Sequence, residues 1–136
     1  MSAKRLQETV LEVDLMLNNI RIWDRDFDLN IIYDCYKGED VLEAQKEALK
    51  SFLANKGMIA ASKTDVESYC LNHNRADIGS DTIDNIFKYV IPESILVKRD
   101  GCVAIMCRYR YDEEHGIAVV FSDGKVKEVG SQDIIL

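Results

Sequence analysis

Residues 102–121 hold two apolar runs split by the acidic stretch Tyr111-Asp112-Glu113-Glu114-His115-Gly116. This pattern limits the fold more than any other part of the chain. Side chains alternate across a strand, so Val103, Ile105, Cys107, Tyr109 and Tyr111 share one face of the first run. Cys102, Ala104, Met106, Arg108 and Arg110 take the other. A five-residue loop over 112–116 then pairs Tyr111 with Ile117, Tyr109 with Val119 and Cys107 with Phe121, which keeps the parity on both strands. Residues 102–106 and 118–120 are apolar on both faces, as expected of central strands with helices packed on at least one side. An Asp100-Gly101 turn links the first run to a shorter strand over 95–98, and Asp123-Gly124 turns the chain again.

The N-terminal third also reads as β. Leu11, Val13 and Leu15 alternate with Glu12 and Asp14, which predicts a half-buried strand. Asn18-Asn19 signals a turn before Ile20 and Ile22. Phe27, Leu29, Ile31 and Tyr33 then alternate as a third strand of an antiparallel meander. The middle changes to a helical period. Val41, Leu42, Ala44, Ala48, Leu49, Phe52 and Leu53 form one stripe over 39–55, with Gly57 placed to stop the helix. Thr64-Asp65-Val66-Glu67 matches a capping box for a second helix through Val66, Tyr69 and Cys70. Ser80 or Asp81 opens a third carrying Ile83, Ile86, Phe87 and Val90, ended near Pro92. The expected fold is therefore α+β: one domain over 1–136, with antiparallel meanders at both ends and about three helices inserted between them.

Seventeen basic residues against 24 acidic ones give a net charge of -7, which disfavours nucleic acid and anionic lipid as partners and favours a basic protein. The apolar runs are too short to span a bilayer, and the charged N-terminus, Met1 to Glu8, has no apolar signal core, so the expected location is the cytoplasm. Cys35, Cys70, Cys102 and Cys107 form no C-x-x-C pair and read as reduced apolar side chains rather than a zinc site.

The acidic stretch is the first candidate site. Asp112, Glu113, Glu114 and His115 lie at a hairpin tip, with Arg110 expected to pair with one of the carboxylates and order the loop. Histidine beside carboxylates suits proton transfer or metal binding, because both groups can be tuned near neutral pH. Such an enzyme, a metal-dependent or acid/base hydrolase, needs Glu113 or Glu114 and His115 to converge with Asp133, and with Gln132 as a further candidate, from the C-terminal segment. The bland alternative is a solvated recognition loop. Trp23, Asp24 and Asp26 are weaker recognition candidates. Asp24, Asp26 and Asp28 begin like a calcium loop, but Leu29 replaces the required glycine and Cys35 the closing glutamate. Cys70 and His73 have the spacing for an activated thiolate, although a buried cysteine beside a surface histidine is commoner. No cofactor-binding glycine motif is present.

Residues 111–121, followed by Asp123-Gly124-Lys125 and Gly130-Ser131-Gln132-Asp133, resemble a family of uncharacterised bacterial domains. Its wording is an aromatic residue, Asp, a variable residue, Glu-His-Gly, a strand, an Asp/Asn-Gly-Lys turn and Gly-x-x-Asp. Tyr111 stands here where tryptophan is familiar. Phe27 to Tyr33 and Gln45 with its flanking helix are also similar. Some such domains are discussed as immunity proteins of bacterial toxin systems. The resemblance thus implies a protein-binding role and supplies no catalytic residues, cofactor or metal.

Overall fold

The computed structural model describes residues 9–136, so the charged segment at 1–8 lies outside the described residues. Strands β1 (Thr9–Ile22) and β2 (Arg25–Tyr36) form an N-terminal hairpin, followed by helices α1 (Glu43–Ala54) and α2 (Lys56–Ile78). Strands β3 (Val90–Val97), β4 (Val103–Tyr109), β5 (Ile117–Ser122) and β6 (Lys125–Gly130) complete a six-stranded sheet in sequential order. The fold is α+β and mostly antiparallel, with two α-helices rather than about three among the described residues.

Several local expectations fail for identifiable reasons. Asn18-Asn19 is not a turn: it continues β1 past an irregularity between Asp14 and Asn18, and the chain reverses at Trp23-Asp24. Leu11 and Val13 stay exposed, because they lie on the sheet face away from the helices, opposite Asp34 and Ile32. The junction of β2 and β3 is parallel, not part of a meander, since both helices intervene and return the chain in the same direction. Gly57 does not stop a helix. α1 ends at Asn55, whose side chain accepts from Met58 N–H and opens α2. The Thr64 to Glu67 capping box falls inside α2, where no cap is needed.

The third helix is absent. Between Gly79 and Ile86 short polar side chains capture backbone donors: Ser80 Oγ accepts from Thr82 N–H at 3.2 Å and Asn85 Oδ1 from Phe87 N–H at 3.1 Å. These bonds compete with a helical ladder, and only a 3₁₀ turn at Ile86–Lys88 forms. Pro92 then sits within β3, beside a register shift.

The hydrophobic face expected on β4 holds. Val103, Ile105, Cys107 and Tyr109 join Ile117, Val119 and Phe121 against Phe52, Ile59, Val66 and Cys70 of the helices. Leu96, Ala104, Met106, Ala118 and Val120 form a second apolar layer on the opposite face, packed by Ile32 and Ile135. The four cysteines are buried and free.

At the parallel joint Gln45 is fully buried. Its Nε2 donates to the carbonyls of Asp34 (2.9 Å) and Val97 (3.1 Å), and its Oε1 accepts from Leu42 N–H at 3.0 Å. The last paired residues of that joint are Tyr33 and Val97, so one side chain satisfies backbone groups at and just beyond the end of the ladder.

Candidate functional site

The pairing of β4 with β5 keeps the expected parity but not the expected partners. Cys107 meets Ile117, Ile105 meets Val119 and Val103 meets Phe121, so the loop spans 108–116 rather than 112–116. The end of β4 instead follows β3: Tyr109 pairs with Val90, and Arg110 N–H donates to Tyr89 O at 2.8 Å. Beyond it the chain folds on itself. Asp112 N–H reaches Tyr109 O at 3.2 Å, and Gly116 N–H reaches Asp112 O at 2.8 Å.

Asp112 is the organising residue of this tip. Its carboxylate accepts from His115 N–H at 3.2 Å and lies 3.0 Å from His115 Nδ1. The C-terminal segment clasps the loop from outside. Gln132 N–H donates to His115 O at 3.0 Å, and Gln132 Nε2 to Cys107 O at 3.1 Å. Asp133 Oδ2 stands 4.0 Å from His115 Nε2, so the histidine lies between two carboxylates. The hydrogen bond and charge of Asp112, with smaller contributions from Glu114 and Asp133, raise the His115 pKa above its ordinary value.

Beneath the tip lies a tyrosine cluster. Tyr109 OH donates to Asn74 Oδ1 at 2.7 Å, where α2 leaves helical geometry, and Tyr111 OH donates to Asp77 O at 3.3 Å. Burial, followed by the neighbouring Cys70, raises the Tyr109 pKa, so its hydroxyl stays a donor.

The side chains left over point outward. Glu113 and Glu114 are exposed and make no hydrogen bond or ion pair among the described residues. Arg110 is exposed as well, and its expected pairing with the 112–114 carboxylates is not formed: Asp112 is engaged by His115, and Glu113 and Glu114 stay unpaired. Neither of two clefts on the surface is lined by residues of the tip.

Trp23, Asp24 and Asp26 lie elsewhere, at the turn between β1 and β2. Trp23 is only 3% exposed; its indole N–H donates to Ser62 Oγ at 3.0 Å and its ring faces Phe87. Both turn residues have left-handed backbones, Trp23 at φ 51° and Asp24 at φ 68°. They line a cleft of about 450 Å³ with Asn18 to Arg21, Asp26 and, from the helices, Leu53, Lys56, Ile59 and Ala60. The helical half of this wall was not legible as a site in the sequence.

The remaining motifs are structural. Asp26 pairs with Arg21 at 3.2 Å and Asp28 accepts from Asn19 at 3.1 Å, so the calcium-like carboxylates serve separate partners. Among the described residues no group of three His, Cys, Asp or Glu is placed to hold a metal ion. Burial pushes the Cys70 thiol up to about 11, and His73 Nδ1 lies against Tyr69 O at 2.9 Å, so the two do not form an activated pair.

An α+β sheet clasped at one hairpin by its own C-terminal segment defines the class of this domain. The family described as Domain of unknown function (DUF6985) matches residues 7–136, and the chain belongs to it. No curated protein and no solved structure matches the chain. No helix among the described residues is long and apolar enough to cross a membrane.

Proposed function

We propose that this protein is a non-catalytic protein-binding domain, of immunity type or a related accessory factor, that presents the tip of the β4–β5 loop to a basic partner. The observation that carries the reading is the division of labour at the tip. Asp112, Gly116 and Gln132 use their hydrogen bonds to hold the loop, while Glu113, Glu114 and Arg110 point outward without partners among the described residues. A rigid backbone bearing unpaired charges lowers the ordering cost of association and steers an oppositely charged surface. The overall charge of -7 acts in the same direction.

The test uses the tagged protein in lysate of its own source cells. A partner should be retained by the wild type, lost as salt rises, and lost by the double variant Glu113→Lys, Glu114→Lys with the fold intact. Retention of the same partner by that variant would remove the tip from the interface.

One observation favours the hydrolase alternative. His115 lies between Asp112 and Asp133, while Glu113 and Glu114, the glutamates this alternative called for, point away. Against it, neither of the two clefts described above is lined by the tip, and the histidine is open to solvent. Hydrolysis of a generic ester or phosphoester substrate that His115→Ala abolishes would favour the enzyme over the binding domain.

A further inference from the structure

The two edges of the sheet differ. β6 carries Lys125, Lys127 and Glu128 at exposed positions, the usual protection of a strand edge. β1, at the other edge, runs fourteen residues. Among the described residues nothing pairs with its outer side. It also exposes Leu11, Val13, Met16 and Leu17 at 47 to 76%. Long and unpaired on either side of the irregularity between Asp14 and Asn18, it is a template for an added strand.

The cleft beside the Trp23 turn lies against the same strand. Asn18, Asn19, Ile20 and Arg21 all line it, although consecutive strand residues point to opposite faces. Four consecutive lining residues mean that the cleft follows the open backbone of β1. Its other wall is α1 and α2, with Leu53, Lys56, Ile59 and Ala60. A groove between an edge strand and a helix accepts an extended peptide: backbone bonds to the strand hold it, and alternate side chains drop beside the helix.

We propose that the open edge of β1 and this cleft form a docking groove for an extended segment of a partner protein whose side chains alternate between apolar and basic. A basic side chain on the helix side of the added strand lays its aliphatic stem in the cleft over Ile20, Trp23 and Ile59. Further along β1, exposed Glu12 and Asp14 lie on this same helix-side face, paired with Tyr33 and Ile31, while Leu11 and Val13 lie on the other, so the basic side chains of an added strand meet carboxylates and its apolar side chains meet Leu11 and Val13. Asp24 at the cleft mouth makes no ion pair among the described residues and is open to a basic side chain. A second copy of the chain is a poor occupant, because Glu12 and Asp14 would then face their own kind. This groove shares no residue with the β4–β5 tip, so the inference goes beyond the function proposed above and stands or falls without it.

The test is titration of a fluorescent nonapeptide of alternating valine and lysine, with an alternating valine and glutamate peptide as control. The wild type should bind the lysine peptide at least about tenfold more tightly than the control. Binding should protect the outward-facing backbone amides within Asn18 to Arg21 from hydrogen exchange. Ala60→Trp fills the cleft from an exposed helix position and should weaken binding about tenfold while the melting temperature is unchanged. Three results would overturn the proposal: no binding up to about 1 mM, equal binding of both peptides, or binding indifferent to Ala60→Trp. A concentration-dependent dimer with protected β1 amides would assign the edge to a second copy and overturn it as well.

Discussion

Gly116 shows how narrow the tolerance at one residue can be. Its φ of 59° lies in the left-handed region, and a Cβ there would press on the Cys107 carbonyl and sit 2.6 Å from Gln132 Nε2. The glutamine tip can move but the carbonyl belongs to β4. Gly116→Ala should therefore destabilise the fold by about 2–4 kcal/mol in urea unfolding, through backbone strain and the loss of the C-terminal clasp. His115 carries a charge argument at the same scale. The hydrogen bond from Asp112 raises its folded pKa above the ordinary 6.5. Its stabilising contribution is thus fully present below the unfolded value and is lost as pH rises through the folded one. NMR titration should place His115 above a free histidine, and Asp112→Asn should bring it back down. An unchanged midpoint in that variant would show that Asp112 is not the cause.

At the scale of elements, Gln45 is the residue that makes the parallel joint viable. Gln45→Leu keeps most of the volume but strands the carbonyls of Asp34 and Val97 and the N–H of Leu42 in the interior. Chemical denaturation should read a loss of about 2–4 kcal/mol. The same scale separates what the residues disclosed from what they did not. The two-residue period of Val103, Ile105, Cys107 and Tyr109 fixed which face each side chain takes, because parity is local. The partners across β5 were not local: they depended on where the strand ends, and the end of β4 is held by Tyr89 and Val90 rather than by β5. Helical spacing at Ile83, Ile86 and Phe87 misled for a related reason, since Ser80 and Asn85 offered the backbone other partners. Of the candidate site, the tip and its meeting with Asp133 were legible from the turn residues. The cleft was not, because Lys56, Ile59 and Ala60 reach Trp23 only through the tertiary fold.

Across the whole molecule the four thiols report on integrity. Cys35, Cys70, Cys102 and Cys107 are buried at 6% exposure or less, and burial raises the pKa of Cys35, Cys70 and Cys107. A neutral, enclosed thiol is a poor nucleophile. Native protein should therefore leave a disulfide reagent such as DTNB unreacted over minutes, and unfolded protein should consume four equivalents. Prompt reaction of one thiol in the native state would show that its layer opens locally.

The parallel junction between β2 and β3 has a consequence for the order of events on the ribosome. β1 and β2 emerge first and meet across a two-residue turn, so that hairpin can close early. The other side of β2, at Asn30, Ile31, Ile32 and Tyr33, has no partner until Ser94 to Val97 have been made, after both helices. A nascent chain therefore carries a ribbon with two bare rims for the time needed to synthesise the middle of the protein. Nascent ribbons of that kind are where encounters with neighbouring chains begin, and the arrival of β3 is the event that ends the exposure of β2.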